Sequence, residues 1–548
     1  MTAARDMDHG RLVLSGHEVM NRMLRKHARV LTRLAFLHAL CLTPLGSQAN
    51  TPDQPVFPAQ ASVKNTVLAQ MIYASAGEMA LALAEGHFTS QELVSYLVSR
   101  AVDLDSFGPA IEAVIEFNPE ALSIARTLDE ERQGGNVRGP LHGIPVLLKD
   151  NIHTADQMQT AAGSLAMVGA AAADDAFIVQ KLREQGAIIL GKTNMSEWAN
   201  FRGDQLPDGW SGRGGLTKNP HALAGDVCGS SSGSAAAIAA GYAPLSLGTD
   251  TFGSVICPAS KNGVVGLRPS VGLLSRTGII PASRELDSAG PITRTVRDAA
   301  LLLNAMVALD PRDLATAQVP VRKDYTQKLK ADALQGKVIG YPSRFKPGSA
   351  DLNEHPQFAR ALDTLRRAGA QLVPVDLKGT DWSDNDWSRV SRLFEMTIKR
   401  VLPGYLASRS GLQVSTLQAL VDYNESHPAE GNYNQDLLKR ANALAFDEAE
   451  YLKLSDGLGD EARSNVDKLL ADNGLDAALG DPHPFAILEL GSATFAGYPG
   501  ITVPSGMDAD GMPTSVYFYG ARWSEAELLA IAYGYEQASN ARQNPDFE

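Results

Sequence analysis

Cysteine is almost missing from this 548-residue chain: it occurs three times, at positions 41, 228 and 257. Three thiols cannot build the dense disulfide framework of a small secreted scaffold, nor a four-cysteine zinc site. Histidine is equally unhelpful to a metal. His87, His142, His153, His221, His355, His427 and His483 are scattered, with no H-E-x-x-H and no Cys/His cluster. Neither a metal nor another cofactor is expected. Positive charge is in deficit too, the formal net charge being −13. That argues against nucleic acid and anionic lipid as partners, since both need a basic face. Long apolar runs are absent as well. With 44% hydrophobic and 20% charged residues, the composition is that of a globular protein with a sizeable core.

What is present begins with an export-like leader. Arg22, Arg25, Lys26, Arg29 and Arg33 precede the apolar run LAFLHALCLTPLG, which ends in Ser47-Gln48-Ala49. A basic region, a short apolar stretch and small residues at the cleavage positions predict a signal peptide within residues 1–49 and an exported product, periplasmic or secreted. The run is too short to span a bilayer, so no stable membrane insertion is expected after cleavage. Residues 50–70 read as a linker or extended arm, and TPDQPVFPAQASVKNT carries three prolines. Both cysteines left after cleavage, Cys228 and Cys257, are expected to be free thiols.

Residues 71–548 read as a single large domain. SAGEMALALAEG and ELVSYLVSRAVDL have helical patterning, the second opened by a capping box of Thr89 and Glu92. IPVLL (144–148), the end of AFIVQKLREQGAIIL, APLSLG (243–248) and GVVGL (263–267) read as buried strands between helical segments. This alternation predicts an α/β architecture around a large central sheet. Residues 310–475 are rich in charged helical segments, yet KVIGYP (337–342) and AQLVPVDL (370–377) inside them are strand-like. GITVPSG (500–506) and SVYFYGA (515–521) return to sheet patterning, so the helix-rich portion belongs to the same fold.

The chemistry concentrates between Cys228 and Pro258, CGSSSGSAAAIAAGYAPLSLGTDTFGSVICP. Gly229-Ser230-Ser231-Ser232-Gly233 satisfies G-x-S-x-G, which nominates Ser231 as a nucleophile. That motif needs a strand directly before it and a late histidine; KNPHALAGDVC supplies no strand, and His427 and His483 have no supporting context. In this loop neither Walker spacing nor G-x-G-x-x-G occurs. Taken alone, the serines would simply cap the following helix. A second turn, Thr249-Asp250-Thr251-Phe252-Gly253-Ser254, follows a strand and can aim successive N–H groups into one concavity, as an oxyanion hole requires. Ser254 needs a base. Lys149, ending IPVLL beside Asp150, can serve if burial lowers its pKa from about 10.4.

HGIPVLLKDNI (142–152), GAIILGKTNMSEWANFRG (186–203), CGSSSGSAAAIAAG (228–241), GTDTFGSVICPAS (248–260) and GVVGLRPSVGLLSRTGIIPASRELDSAGPITRTVRDAALLL (263–303) together resemble the amidase signature family, in particular its bacterial peptide amidases. The match continues through GYPGITVP (497–504). The resemblance implies a mixed sheet covered by helices on both faces, no cofactor, and a serine hydrolase cleaving carboxamides through an acyl-enzyme. It assigns Lys149 as base, Ser230 as the relay serine held by a cis peptide bond, and Ser254 as nucleophile. The N–H groups of Thr251, Phe252, Gly253 and Ser254 would form the oxyanion hole, while Asp250 and Ser231 brace the loops. Lys192 in GKTN would be structural. A peptide amide or an aryl or alkyl acylamide is the implied substrate, with esters or carbamates as side substrates. Phe252 and a short stretch at 480–492 depart from the peptide-amidase pattern and point to a reshaped pocket. The alternatives are the glutaminase-type component of an amidotransferase and a non-catalytic binding protein on the same fold.

Overall fold

Buried apolar runs become strands here, and the sheet they build is set by where each run is interrupted. The structure, a computed structural model, describes residues 66–320, 324–342, 355–375, 384–431, 433–480 and 491–547. The leader, the proline-bearing segment 50–65 and most of the 480–492 stretch lie outside the described residues. The strands are β1 (Val114–Phe117), β2 (Pro145–Lys149), β3 (Ile188–Thr193), β4 (Trp210–Ser211), β5 (Gly215–Leu216), β6 (Leu245–Asp250), β7 (Val265–Arg268), β8 (Ser288–Thr293), β9 (Val338–Pro342), β10 (Gln371–Val375), β11 (Ala477–Gly480), β12 (Gly500–Met507) and β13 (Pro513–Tyr519).

Eleven of them form one mixed sheet in the order β1-β3-β2-β6-β8-β7-β12-β13-β11-β9-β10; β4 and β5 pair separately. β3, β2 and β6 run parallel, as do β11, β9 and β10, and the strands between them are antiparallel. The two strand-like segments inside the helix-rich portion, β9 and β10, therefore extend the same sheet. The expectation of a mixed α/β sheet is borne out. Three strands of this sheet were not evident from the residues: β1, β11 and β8, whose SAGPIT carries a glycine and a proline instead of an apolar run.

Helices cover both faces, because successive strand residues point to opposite sides. On β13, Val516 and Phe518 join the core that also holds residues of the helices Ala76–Ala84, Phe177–Glu184 and Val296–Met306. Tyr517 and Tyr519 join a different core with Val390, Leu393 and Leu458 of the long helices Asp384–Ser408 and Glu448–Asn473. The capping box at Thr89 forms as read: the Glu92 N–H donates to Thr89 Oγ1 at 3.1 Å and the Thr89 N–H to Glu92 Oε2 at 2.8 Å. Such a cap is worth about 1 kcal/mol. The helix Glu448–Asn473 ends where Gly474 adopts the left-handed conformation, φ 60°.

Candidate active site

The site is assembled where β2 and β6 end side by side. Lys149 is the last residue of β2, with no solvent exposure. Its Nζ lies 2.8 Å from Ser230 Oγ, 2.9 Å from Ser231 Oγ and 3.1 Å from the Thr249 carbonyl oxygen. Burial pulls its pKa down from 10.5 to about 7, opposed by the negative charges of Asp250 and Asp287. A neutral amine has two N–H donors and one lone pair. The Thr249 carbonyl can only accept, and the Ser231 hydroxyl donates to that same carbonyl at 3.1 Å. Both N–H groups are then used by Thr249 and Ser231, which leaves the lone pair for the Ser230 O–H. Ser231 is thus an orienting partner of the lysine.

The serines reach this point because their neighbours are small. The helix Ser232–Ala239 lies directly against the backbone after β3: a Cβ on Gly233 would come within 2.4 Å of the Ala113 carbonyl oxygen and 2.5 Å of Asn194 N. A Cβ on Gly248 of β6 would sit 2.7 Å from Ser231 Oγ. The peptide bond Gly229–Ser230 is cis, as the family resemblance implies. The Ser231 N–H donates to the Ser254 carbonyl oxygen at 3.1 Å, tying the first serine loop to the second.

Asp250 ends β6 and holds the second turn. Its carboxylate accepts from the Gly253 N–H at 2.9 Å and the Val255 N–H at 2.7 Å, and pairs with Arg268 Nη1 at 2.6 Å. Arg268 also donates to the Asp250 and Leu286 carbonyl oxygens. These contacts tie the turn and Arg268 to the end of β6. The Gly253 N–H, one of the four expected oxyanion donors, is thus bonded to a carboxylate here. Asp287, which no motif singles out, accepts from Thr251 Oγ1 at 2.7 Å and from the Ala282 and Ser283 N–H groups at 2.8 Å each. Burial raises its carboxyl to about 6. Nothing local marks Arg268 either; only the convergence of both residues on the turn does.

Ser254 lines a cavity of about 170 Å³ together with Gly229, Thr251, Phe252 and Gly253. Its Oγ forms no hydrogen bond among the described residues, and Ser230 Oγ is engaged by Lys149. The far wall is aromatic: Phe394 stacks edge-on to Phe201 and Phe252, with ring centroids 5.0 and 5.9 Å apart. Phe252 also packs on Phe495 at 5.0 Å. Phe201 lines the cavity, whereas Trp198 packs into the hydrophobic cluster beside it.

Cys228 and Cys257 line this cavity as well, and here the expectation of free thiols is corrected: they form a disulfide, with Cα atoms 5.9 Å apart. The sequence placed them 29 residues apart, but the turn back through β6 brings the two serine loops, and so the two thiols, together. Lys192 takes no part in the site. GAIILGKT spells the pattern of a phosphate-binding loop, yet Ile188–Thr193 is itself the strand β3. Lys192 Nζ donates to the Ile152 carbonyl oxygen and, at 3.0 Å, to Thr160 Oγ1. His142 and His221 bond to backbone carbonyl oxygens and His153 to Tyr405. Among the described residues no three His, Cys, Asp or Glu side chains are grouped to hold a metal.

Comparison with known proteins agrees with this geometry. The protein-family model for Amidase matches residues 92–418. A probable amidase of Arabidopsis thaliana is 39% identical over 490 residues, covering 86% of this chain and 91% of that protein. One component of the glutamyl-tRNA(Gln) amidotransferase of Geobacter metallireducens is 32% identical over 477 residues, covering 82% and 95% respectively. The X-ray structure of native peptide amidase from Stenotrophomonas maltophilia superposes with a TM-score of 0.81 at 41% identity, over 87% of this chain and 99% of that one. With its serine loops, buried lysine and mixed sheet, this chain belongs to the amidase signature family of amide-hydrolysing enzymes.

Proposed function

We propose that the enzyme cleaves carboxamides through an acyl-enzyme on Ser254, with Ser230 as proton relay and Lys149 as base. The observation that carries this reading is the buried Lys149 amine, pulled down to about 7 and bonded to Ser230 beside the cavity that Ser254 lines. Ser254 Oγ attacks the carbonyl carbon while its proton passes to Ser230 Oγ and the Ser230 proton to Lys149 Nζ. The oxyanion forms against backbone N–H groups of the turn. Collapse breaks the C–N bond, and the leaving nitrogen takes the proton back through the same relay. Water then repeats the sequence on the ester, releasing the carboxylate and restoring Ser254. Catalytic hydrogen bonds commonly tighten only when substrate is bound, which suits a Ser254 hydroxyl that is uncommitted here.

The substrate class is a peptide amide or an aryl or alkyl acylamide. The apolar, aromatic wall supports an apolar body next to the scissile bond, and the similarity to a peptide amidase supports the first class. A fluorophosphonate probe tests the nucleophile. It is expected to label Ser254, and Ser254→Ala is expected to lose both labelling and amide turnover. Label on Ser231 with turnover surviving in Ser254→Ala would overturn the assignment.

A further inference from the structure

Among the described residues, Asp208 is the one charged side chain lining the cavity at Ser254. It stands on the turn just before β4 and has no place in the relay. A Cβ on Gly229 would lie 2.7 Å from Asp208 Oδ1, so the carboxylate rests against the peptide that leads into Ser230. Its partners are neutral: Asn200 Nδ2 donates at 2.7 Å, and the Ser196 hydroxyl supplies a second bond. Asp226, also negative, acts on it, and is itself engaged by Lys261 at 3.4 Å and by the Cys228 N–H at 2.8 Å. Burial raises the Asp208 carboxyl above its ordinary range, so a carboxylate is held in a poorly hydrated place with no cation to match it.

Phe201, Phe252 and Phe394 line the same cavity. A carboxylate and ring systems lining one small cavity suit an organic cation: the charge meets the carboxylate, and the aromatic faces attract what remains. A substrate carboxylate in the same place would meet like charge and lose its hydration.

We propose that Asp208 is a specificity-determining residue that selects amides carrying a protonated amine on an apolar body, such as an amino-acid amide with a free ammonium group. The proposal deepens the reading of Ser254 as nucleophile and rests on it for the word substrate, but its binding half can be measured without turnover. Calorimetric titration compares benzylammonium with the near-isosteric neutral benzyl alcohol on the wild-type protein and on Asp208→Asn. The ammonium is expected to bind about tenfold or more tightly to the wild type, the difference a charge-assisted bond makes. In Asp208→Asn that preference should shrink to within about twofold, and Asp208→Glu should retain part of it. With phenylalaninamide against 3-phenylpropanamide, the same preference should appear in KM and not in kcat. Turnover of the neutral amide serves as the control for folding of the variants. Equal affinity of the wild type for the two ligands, or a preference that survives in Asp208→Asn, overturns the proposal. Loss of the preference with intact turnover of the neutral amide supports it. If Ser254→Ala kept its turnover, the catalytic reading would fall while the calorimetric result still decided the role of Asp208.

Discussion

Lys149 and Lys192 stand on neighbouring parallel strands, both without solvent exposure, and they point to opposite faces of the sheet. The register explains why. Lys192 pairs with Leu148, so it points to the face that Leu148 shares with the main core, and a shift in pairing at Leu190 keeps it there. Lys149, one residue on, points to the other face, where the serine loops lie. Lys149 finds two serine hydroxyls, a carbonyl oxygen and the nearby charges of Asp250 and Asp287; Lys192 finds a carbonyl oxygen, one threonine hydroxyl and the nearby charges of Asp150 and Asp156. Burial lowers both, to about 7 and about 8. A depressed pKa therefore does not tell the two lysines apart; what sets Lys149 apart is its contact with the serine loops.

Exchanging each lysine for methionine tests that contrast most directly. Lys149→Met is expected to lower kcat/KM by about a thousandfold while leaving the protein folded by circular dichroism. Near-normal turnover in this variant would break the comparison outright. The next effect is on pH dependence. Lys149 accepts a proton only when neutral, so kcat/KM should fall about tenfold per pH unit below about 7 and level off above it. Lys192→Met should leave that acid limb where it is; a limb that moved with Lys192 would exchange the two roles. The smallest expected effect on turnover is that of Lys192→Met itself, within about a factor of three. Its cost should appear in denaturant unfolding instead, about 1–3 kcal/mol, because the Ile152 carbonyl and Thr160 hydroxyl lose their donor in the interior.

Part of this was legible in the residues and part was not. Runs such as IPVLL and GITVPSG, the Thr89–Glu92 capping box and the small-residue helix after the serine loop are local patterns, and each forms near where it was read. The lysine and the two serines were found by their neighbouring blocks, and the structure brings Lys149 to Ser230. Phe252 stood out as a departure from the family pattern, and its ring does line the cavity. Asp208 was missed because no motif contains it, and the disulfide was missed because two distant cysteines carry no sign of pairing. Arg268 and Asp287 were missed for the same reason: their role is to meet Asp250 and Thr251, which only the fold arranges.

The sequence by itself determined the elements and their chemistry: strand runs, caps, a serine-rich turn, and a lysine at a strand end. These are short-range properties, set by period, propensity and the hydrogen-bonding capacity of neighbouring residues. The tertiary structure alone decided which lysine meets the serine hydroxyls, which thiols join, and which carboxylate lines the cavity. Those outcomes depend on pleat, register and contacts between residues up to about two hundred positions apart, such as Phe201 with Phe394. A one-residue difference along paired strands separates the lysine beside the serine loops from the one beside Thr160, and no local pattern records it.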